Sequence, residues 1–172
     1  MCIRDRILGV LTTPGTTKPI AILDLGAGST DASIINQQDD IVAIHLAGAG
    51  DMVTMIINSE LGLDDVYLAE DIKKYPLARV ENLFQIRHED GTVQFFEDPL
   101  PADIFARTVV IKPDGYVPLP GNMNIEKVKQ IRQTAKKRVF VENARRALQH
   151  VSPTGNIRDI PFVVIVGGSA LD

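Results

Sequence analysis

Two apolar runs with a glycine turn between them constrain the fold of this chain more than any other feature. The stretch PIAILDLGAGSTDASII, residues 19–35, holds an apolar run that ends at Asp24, a turn with Gly26 and Gly28, and a second apolar run. Short apolar runs bounded by glycines are typical of paired strands. The sequence therefore predicts a tight strand–turn–strand unit with a carboxylate at the end of its first strand.

Strand and helix patterns are interspersed along the rest of the chain, as expected of an α/β protein. A third apolar run at residues 41–46 extends the opening unit, so we predict a three-strand meander. The run FVVIV at residues 162–166 is continuous, which is typical of a strand buried on both faces. We predict strands at residues 20–25, 32–36, 41–46, 83–86, 93–96, 109–112 and 162–166, and helices at residues 7–11, 52–61, 66–74 and 125–150, with a short one after Pro101.

Length and composition exclude several classes of protein. The chain has 172 residues, which suits one domain or two small lobes, and no apolar run reaches the roughly 20 residues that a membrane helix needs. The formal net charge of -4 argues against general affinity for nucleic acid. Cys2 is the only cysteine, so no disulfide framework is expected, which favours a reducing compartment. We therefore expect neither a membrane nor a nucleic acid as partner.

The first six residues, MCIRDR, do not fit the pattern of the rest. They lack the apolar core of a signal peptide and do not continue smoothly into the segment that follows. We therefore interpret residues 1–6 as an artefactual leader and residues 7–172 as the folded part.

The turn at residues 24–31, DLGAGSTD, carries the residue types of a phosphate site. Gly26 and Gly28 permit positive φ and let backbone N–H groups approach an anion without a Cβ in the way. The hydroxyls after them can donate to phosphate oxygens, and Asp24 can hold a hydrated Mg²⁺ or the attacking water. A glycine hairpin with capping side chains explains the same residues. No Gly-Lys-Ser/Thr follows, which excludes a P-loop, and the following strand disfavours a dinucleotide fingerprint.

Two further segments have polar groups or glycines at positions that suit a ligand. Glu70 and Lys73 lie three residues apart on one helical face, so both can reach a ribose or a purine edge. An exposed ion pair of little energetic weight is the alternative. Lys74 points elsewhere, and we expect it to be solvated. Gly167 and Gly168 follow the last strand, where open α/β sheets bind ligands, although an ordinary strand-to-helix turn fits them too.

The three histidines show no sign of a catalytic or metal site. His45 has no evident carboxylate or cysteine partner, and a histidine of that kind is more often structural. His88 and His150 have no companions at metal-ligand spacing.

Three of these segments, in this order, resemble motifs of the actin-like ATPase superfamily. DLGAGSTDASI resembles its second phosphate motif, AEDIKKY at residues 69–75 resembles the helix that packs on the nucleoside, and VVIVGGSALD at residues 163–172 resembles its adenosine motif. The resemblance implies an actin-like (ribonuclease H-like) ATPase lobe of the α/β class, with a mixed sheet that starts with the three-strand meander and is flanked by helices. It also implies ATP or ADP with Mg²⁺ as cofactors.

The resemblance implies a role for each residue that matches a motif. Asp24 is expected to be catalytic and, together with Asp31, to hold the metal. The expected phosphate-binding residues are Gly26, Ala27, Gly28, Ser29 and Thr30, and the expected nucleoside-binding residues are Glu70, Lys73, Gly167, Gly168 and Ser169.

Longer segments are similar to one branch of the superfamily, the large subunits of diol dehydratase and glycerol dehydratase reactivating factors. They include LTTPGTTKPIAILDLGAGSTDASIIN, HLAGAGDMVTMII, HEDGTVQFF and VSPTGNIRDIPFVVIVGGS. The resemblance implies an ATP-dependent chaperone that releases damaged cobalamin from inactivated B12-dependent diol or glycerol dehydratase. It also implies a small reactivase subunit as partner and a cytoplasmic location, associated in some bacteria with a microcompartment.

Truncation separates this chain from the pattern of that branch. An upstream Asp-x-Gly loop and the region that meets the small subunit are missing, so we interpret residues 7–172 as the second lobe of the ATPase domain, truncated at both ends. Because catalysis needs groups from both lobes, we expect negligible ATP hydrolysis by this chain alone. A lobe of an actin-fold metabolite kinase, a filament-forming actin-like protein and a nucleotide-independent structural module remain alternatives.

Overall fold

The computed structural model describes residues 18–170, which divide into two compact units. Unit 1 contains residues 18–52 and 137–170, and unit 2 contains residues 53–136. The strands are β1 (Ile20–Leu25), β2 (Ser29–Ile35), β3 (Ile41–Ala47), β4 (Leu77–Asn82), β5 (Gln85–His88), β6 (Val93–Phe95), β7 (Thr108–Lys112), β8 (Gly115–Pro118) and β9 (Phe162–Val166). The helices are α1 (Gly50–Leu61), α2 (Val66–Lys74), α3 (Ile125–Lys136) and α4 (Glu142–Val151), with 3-10 turns at Ala102–Ile104 and Ile157–Asp159 and a π-helical turn at Lys137–Val141.

Unit 1 contains a four-stranded mixed sheet in the order β3-β2-β1-β9. β1 pairs antiparallel with β2 and parallel with β9, and β2 pairs antiparallel with β3. Helix α4 packs against β1, β2 and β3. Ile20, Ile22 and Ile35 form a buried cluster against Val164 and Val166. β1 is buried along its whole length, and this packing holds the start of the turn that follows it in position.

Unit 2 contains a five-stranded antiparallel sheet in the order β6-β5-β4-β7-β8. Helix α2 packs against β7, and helix α3 packs against β4. The buried cluster on this sheet consists of Ala78, Val80, Ile86, Leu100, Ile104 and Val109. Packing on the sheet therefore fixes α2, the helix that carries Glu70 and Lys73.

The predicted meander and the predicted α2 helix are confirmed. β1 has the expected bounds, whereas β2 begins at Ser29 rather than at residue 32, because Ser29 already pairs with Ala47 of β3. Helix α2 begins where expected, since the Asp65 side chain accepts the N–H of Tyr67 at 2.8 Å.

The strand pattern of unit 2 is only partly predicted by the sequence. A turn at Asp90 and Gly91 joins β5 and β6, which are antiparallel, and β5 lies about two residues later than expected. β4 and β8 were not expected at all, and β8 lies in the proline-rich stretch where the alternation of apolar residues is weak.

The helix expected over residues 125–150 is present as a continuous helical run, and the expectation is wrong in one respect: a π-helical turn at Lys137–Val141 interrupts its α-helical geometry. Helix α3 ends at Lys136, and the π-helical turn separates it from α4. A π turn adds a residue to the helical repeat and rotates the apolar face that follows. The segment KRVFV contains no glycine or proline that would indicate such a break.

The burial expected for β9 is also wrong. Phe162, Val163 and Ile165 are 37%, 38% and 53% exposed. Within residues 18–170, β9 pairs only with β1 and therefore lies at the edge of its sheet. A continuous apolar run thus predicts the strand but not its burial.

Two expectations concern residues beyond the described range. The leader at residues 1–6 and the helix at residues 7–11 lie outside the described residues. In the part of the chain from residue 18 to residue 170, no helix has both the length and the apolar character needed to cross a membrane.

Candidate functional site

The turn between β1 and β2 is held in place through its carbonyl groups. The carbonyl oxygens of residues 26–28 all accept hydrogen bonds from backbone N–H groups of residues 48–51, at N···O distances of 2.7 to 3.2 Å. The Gly26 N–H donates to the Ser29 carbonyl at 3.0 Å and closes the turn. The carbonyl side of the turn is therefore fully occupied by the protein.

The N–H groups of Ala27 and Gly28, in contrast to these carbonyl groups, lack a hydrogen-bond partner among the described residues. Both residues are exposed, and neither N–H donates a hydrogen bond to any group within residues 18–170. Neither Gly26 nor Gly28 has a positive φ, so these glycines are not required by a left-handed backbone. A Cβ on Gly28 would meet open space. Two adjacent N–H groups of exposed residues, without a protein acceptor in this range, are suited to binding an anion.

The two hydroxyls that follow the turn differ in accessibility. Thr30 is fully buried, and its Oγ1 donates to the Gly48 carbonyl at 2.9 Å. Ser29 is partly exposed, and its Oγ donates to Oδ2 of Asp31 at 3.2 Å. Thr30 thus secures the loop, while Ser29 is the hydroxyl at the surface.

Asp24, Asp31 and His45 lie in one row across β1, β2 and β3. Asp31 is the register partner of both Asp24 and His45, and directly opposed residues of antiparallel strands share a face. Oδ1 of Asp31 lies 2.5 Å from Nδ1 of His45. The expectation that His45 lacks a carboxylate partner is therefore wrong, because cross-strand pairing joins residues that are distant in sequence.

The same row brings together the two carboxylates expected at a metal. Asp24 is buried, at 7% exposure, whereas the side chain of Asp31 is 28% exposed. Within residues 18–170, no group of three or more His, Cys, Asp or Glu side chains could hold a metal ion. A cation here would need ligands beyond these two carboxylates, as is common for Mg²⁺, which often binds through one or two carboxylates and phosphate oxygens.

The segment that follows β9 lies directly on the β1–β2 turn. The Ser169 N–H donates to the Leu25 carbonyl at 3.1 Å, and the Ser169 hydroxyl donates to the Gly26 carbonyl at 3.2 Å. Gly167 has a φ of +107°, and a Cβ at this position would overlap the Asp24 carboxylate. Only glycine fits at position 167. The β1–β2 turn and the segment after β9 are therefore packed directly against each other.

In unit 2, Glu70 and Lys73 of α2 form an ionic cluster with Thr54 of α1. Oε2 of Glu70 accepts from Nζ of Lys73 at 2.6 Å and from the Thr54 hydroxyl. Nζ of Lys73 also donates to Oγ1 of Thr54 at 3.0 Å. Burial raises the pKa of Glu70, but hydrogen bonds from two lysines and the Thr54 hydroxyl outweigh it and lower the pKa to about 2.

Exposure distinguishes the members of this cluster. Lys73 is 3% exposed and Thr54 is 4% exposed, whereas the Glu70 side chain is 30% exposed. Lys74 is not simply solvated as expected, because its Nζ lies 2.8 Å from Oε1 of Glu70. The exposed member of the cluster is therefore the ionised Glu70 carboxylate, and its partners Lys73 and Thr54 are buried.

Arg132 holds the C-terminal end of α2. Its Nη1 donates to the carbonyls of Ile72 and Tyr75 at 3.3 and 3.0 Å, and its Nη2 forms an ion pair with Glu89. A cation at the C-terminus of a helix also interacts favourably with the helix dipole. The helix that carries Glu70 is thus fixed from its last turn.

The structure collects the predicted site residues in two groups, one in each unit. The group in unit 1 consists of Asp24, Gly26, Ala27, Gly28, Ser29, Thr30, Asp31, Gly167, Gly168 and Ser169, and the group in unit 2 consists of Glu70 and Lys73. Sequence reasoning missed Thr54 in the second group. Thr54 is a hydroxyl among the buried apolar residues of α1, and that pattern is the signal that could have indicated it.

Comparison with known proteins identifies close relatives. Residues 4–172 match the model of the family described as "Diol dehydratase reactivase ATPase-like domain". The chain is 74% identical over 166 residues to the propanediol dehydratase-reactivating factor large subunit of Citrobacter freundii. That alignment covers 96% of this chain and 27% of the relative, so the chain spans about a quarter of the relative's length.

Two solved structures from such relatives have closely similar backbones. The structure of diol dehydratase-reactivating factor in nucleotide free form aligns with a TM-score of 0.91 at 73% identity, over 96% of this chain and 27% of that one. A glycerol dehydratase reactivase aligns with a TM-score of 0.91 at 58% identity and the same coverage.

A structure with much lower sequence identity is similar to this chain in fold only. MreB 5 of Spiroplasma citri bound to AMPPNP aligns with a TM-score of 0.51 at 18% identity, over 95% of this chain and 45% of that one. The predicted actin-like α/β fold is thereby confirmed. Because the family match covers nearly the whole chain, the chain belongs to the family of the diol dehydratase reactivase ATPase-like domain.

Proposed function

We propose that this chain binds an adenine nucleotide, as part of an ATP-dependent reactivase for B12-dependent diol or glycerol dehydratase. One observation carries the nucleotide proposal: Ala27 and Gly28 are exposed residues, and their N–H groups have no hydrogen-bond partner within residues 18–170. A phosphate group can accept both hydrogen bonds without displacing a protein acceptor. Gly26 and the partly exposed Ser29 hydroxyl complete this phosphate-binding turn, and buried Thr30 holds its shape.

Asp24 and Asp31 fit a Mg²⁺ ion that accompanies the phosphates. Their register places two carboxylates on one face of the sheet, and carboxylate oxygens are the ligands that Mg²⁺ prefers. When bound, the ion would neutralise phosphate charge. In this proposal Asp24 also orients the attacking water, and Ser29 and His45 hold Asp31 through its two oxygens.

Glu70 and Lys73 provide the polar cluster for the nucleoside. With a pKa of about 2, Glu70 is ionised at neutral pH and is a strong acceptor for a ribose hydroxyl. In unit 1, Gly167, Gly168 and Ser169 have a backbone role in nucleoside binding. Gly168 is exposed next to open space, so a planar base could approach its backbone.

The client is proposed from the relatives, which are named as factors that reactivate propanediol or diol dehydratase. The name "large subunit" suggests a small subunit as partner. Identity to the diol dehydratase factor exceeds identity to the glycerol dehydratase reactivase, which favours a diol dehydratase client. We place this activity in the cytoplasm, with association to a microcompartment in some bacteria.

Calorimetric titration of the chain with Mg²⁺ and ADP tests the nucleotide proposal. We expect saturable binding that requires Mg²⁺, together with negligible ATP turnover, because groups from both lobes are needed for hydrolysis. Failure to bind ADP with Mg²⁺ would instead favour a nucleotide-independent structural module.

The client requires a second experiment with the longer protein that contains this chain. ATP-dependent release of cobalamin from inactivated diol dehydratase is the expected result. Phosphorylation of a small metabolite would indicate a kinase, and ATP-dependent pelleting would indicate a filament-forming protein.

A further inference from the structure

We infer that Thr54 is a positioning residue that orients the Glu70 carboxylate toward a ribose hydroxyl, and that Lys73 acts through the same contact. This inference rests on the proposed function, since it concerns the nucleoside contact assigned there to Glu70. Thr54 lies outside the three short motifs that indicated the site residues, although it falls within the longer segment HLAGAGDMVTMII. Its role emerges only from the contacts between α1 and α2 within unit 2.

The three side chains form a closed triangle of hydrogen bonds. The Thr54 hydroxyl donates its single proton to Oε2 of Glu70, and its oxygen accepts from Nζ of Lys73 at 3.0 Å. Lys73 in turn donates to the same Oε2 at 2.6 Å. Two donors on one oxygen fix the direction of the carboxylate more firmly than one donor can.

The three side chains differ in burial and therefore in whether a ligand can reach them. Lys73 and Thr54 are 3% and 4% exposed, so a ligand could reach their polar atoms only after the cluster opened. Glu70 keeps 30% of its side chain exposed, and of the roughly four lone-pair sites of a carboxylate it has one left, on Oε1, beyond the three hydrogen bonds it accepts here. Glu70 is therefore the member that touches the nucleoside.

Lys74 does not substitute for Thr54. Its ammonium binds the other carboxylate oxygen, Oε1, and its side chain is 49% exposed. A long exposed side chain restrains its partner weakly because it keeps much of its rotamer freedom. Removing the Thr54 hydroxyl should therefore loosen Glu70 even with both lysines present.

The decisive test compares ADP with 2′-deoxy-ADP and 3′-deoxy-ADP as ligands of the full chain with Mg²⁺. We expect the unsubstituted chain to bind ADP at least about tenfold more tightly than one or both deoxy analogues, since one charge-assisted hydrogen bond is lost. Thr54→Val should abolish most of that preference. Thr54→Ser, which keeps the hydroxyl, should retain it.

Thr108→Val is the matched control in the same unit. Thr108 is 1% exposed, and its hydroxyl donates to the Met123 carbonyl at 2.6 Å, so this variant also loses a buried hydrogen bond. We expect lower stability but an unchanged preference for ADP. An unchanged preference in Thr54→Val, or an equal loss in Thr108→Val, would overturn the positioning role.

A measurement without ligand separates this inference from the proposed function. The ¹³C resonance of the Glu70 carboxyl, followed by NMR as the pH falls, should have a midpoint about one unit higher in Thr54→Val than in Thr54→Ser. Equal midpoints would contradict the contact with Thr54 whether or not ADP binds. Absence of ADP binding with distinct midpoints would reject the proposed function and leave Thr54 as the residue that orients Glu70.

Discussion

The phosphate turn of unit 1 consists mainly of backbone groups, whereas the Glu70 cluster of unit 2 consists of side chains. Backbone hydrogen bonds shape the turn at residues 26–28, and the absence of a side chain at Gly167 leaves room for Asp24 and Leu25 just before it. The Glu70 cluster consists of charged and hydroxyl side chains on two helices. The turn should therefore be sensitive to an added Cβ and insensitive to charge, whereas the cluster should show the reverse.

The largest effect is expected from Gly167→Ala. The new Cβ would overlap the Asp24 carboxylate and the Leu25 carbonyl, and the φ of +107° is strained for alanine. We expect the free energy of unfolding to fall by about 3 kcal/mol, as measured by urea denaturation.

Gly168→Ala is the matched control, because a Cβ there meets nothing within 4 Å. Its free energy of unfolding should change by less than about 0.5 kcal/mol. Equal losses in the two variants would show that the turn does not depend on the space beside Asp24.

Glu70→Gln should have the next largest effect. It removes a charge partner of the buried Lys73 ammonium, and a buried charge that loses part of its compensation is costly. Because Glu70 is partly exposed, we expect a loss of about 2 kcal/mol in unfolding free energy rather than the full cost of a buried pair.

The control for that variant is Glu142→Gln. Glu142 pairs with Arg145 at 3.2 Å, and both side chains are about half exposed. The expected loss is below about 0.5 kcal/mol by the same denaturation measurement. A loss as large as that of Glu70→Gln would contradict the importance of burial in the cluster.

The pH dependence of stability should show a smaller effect of the same cluster. The pKa of Glu70 is lowered from 4.5 to about 2 in the folded chain, so its stabilising contribution is present above pH 4.5 and is lost as the pH falls toward 2. Urea denaturation at pH 7 and at about pH 3 should therefore show a smaller loss of stability in Glu70→Gln than in the unsubstituted chain. Parallel losses would show that Glu70 is not the group being titrated.

The smallest effect is expected from His45→Gln. The His45 side chain is 72% exposed, and its contact with Asp31 lies at an edge strand. Such exposed side-chain contacts contribute little, so the free energy of unfolding should change by less than about 0.5 kcal/mol. A loss above 1 kcal/mol, on the scale of a buried pair, would assign His45 a larger structural role.

Local features of the site could be predicted from the sequence, whereas contacts between distant segments could not. Strand β1 and helix α2 carry strong local signals: a short apolar run in one case, and a capping aspartate followed by apolar periodicity in the other. Thr54 meets Glu70, and His45 meets Asp31, only because helices pack and strands pair. No local pattern encodes those distances.

The fold shows the same limit. The apolar run of β9 predicts a strand, but its burial depends on which strands lie beside it. The π-helical turn at Lys137–Val141 carries no glycine or proline, so the helical periodicity continues through it in the sequence. Both errors concern packing rather than the choice between helix and strand.

The most direct test of the phosphate turn is ¹⁵N NMR of the amide groups during titration with Mg²⁺ and pyrophosphate. Pyrophosphate has no nucleoside, so it isolates the turn from the Glu70 cluster. We predict that the amide resonances of Ala27 and Gly28 show the largest saturable shifts, and that Glu70→Gln leaves these shifts unchanged. Amides at Ala27 and Gly28 that do not move at saturating pyrophosphate, or that move only when Glu70 is intact, would contradict the account.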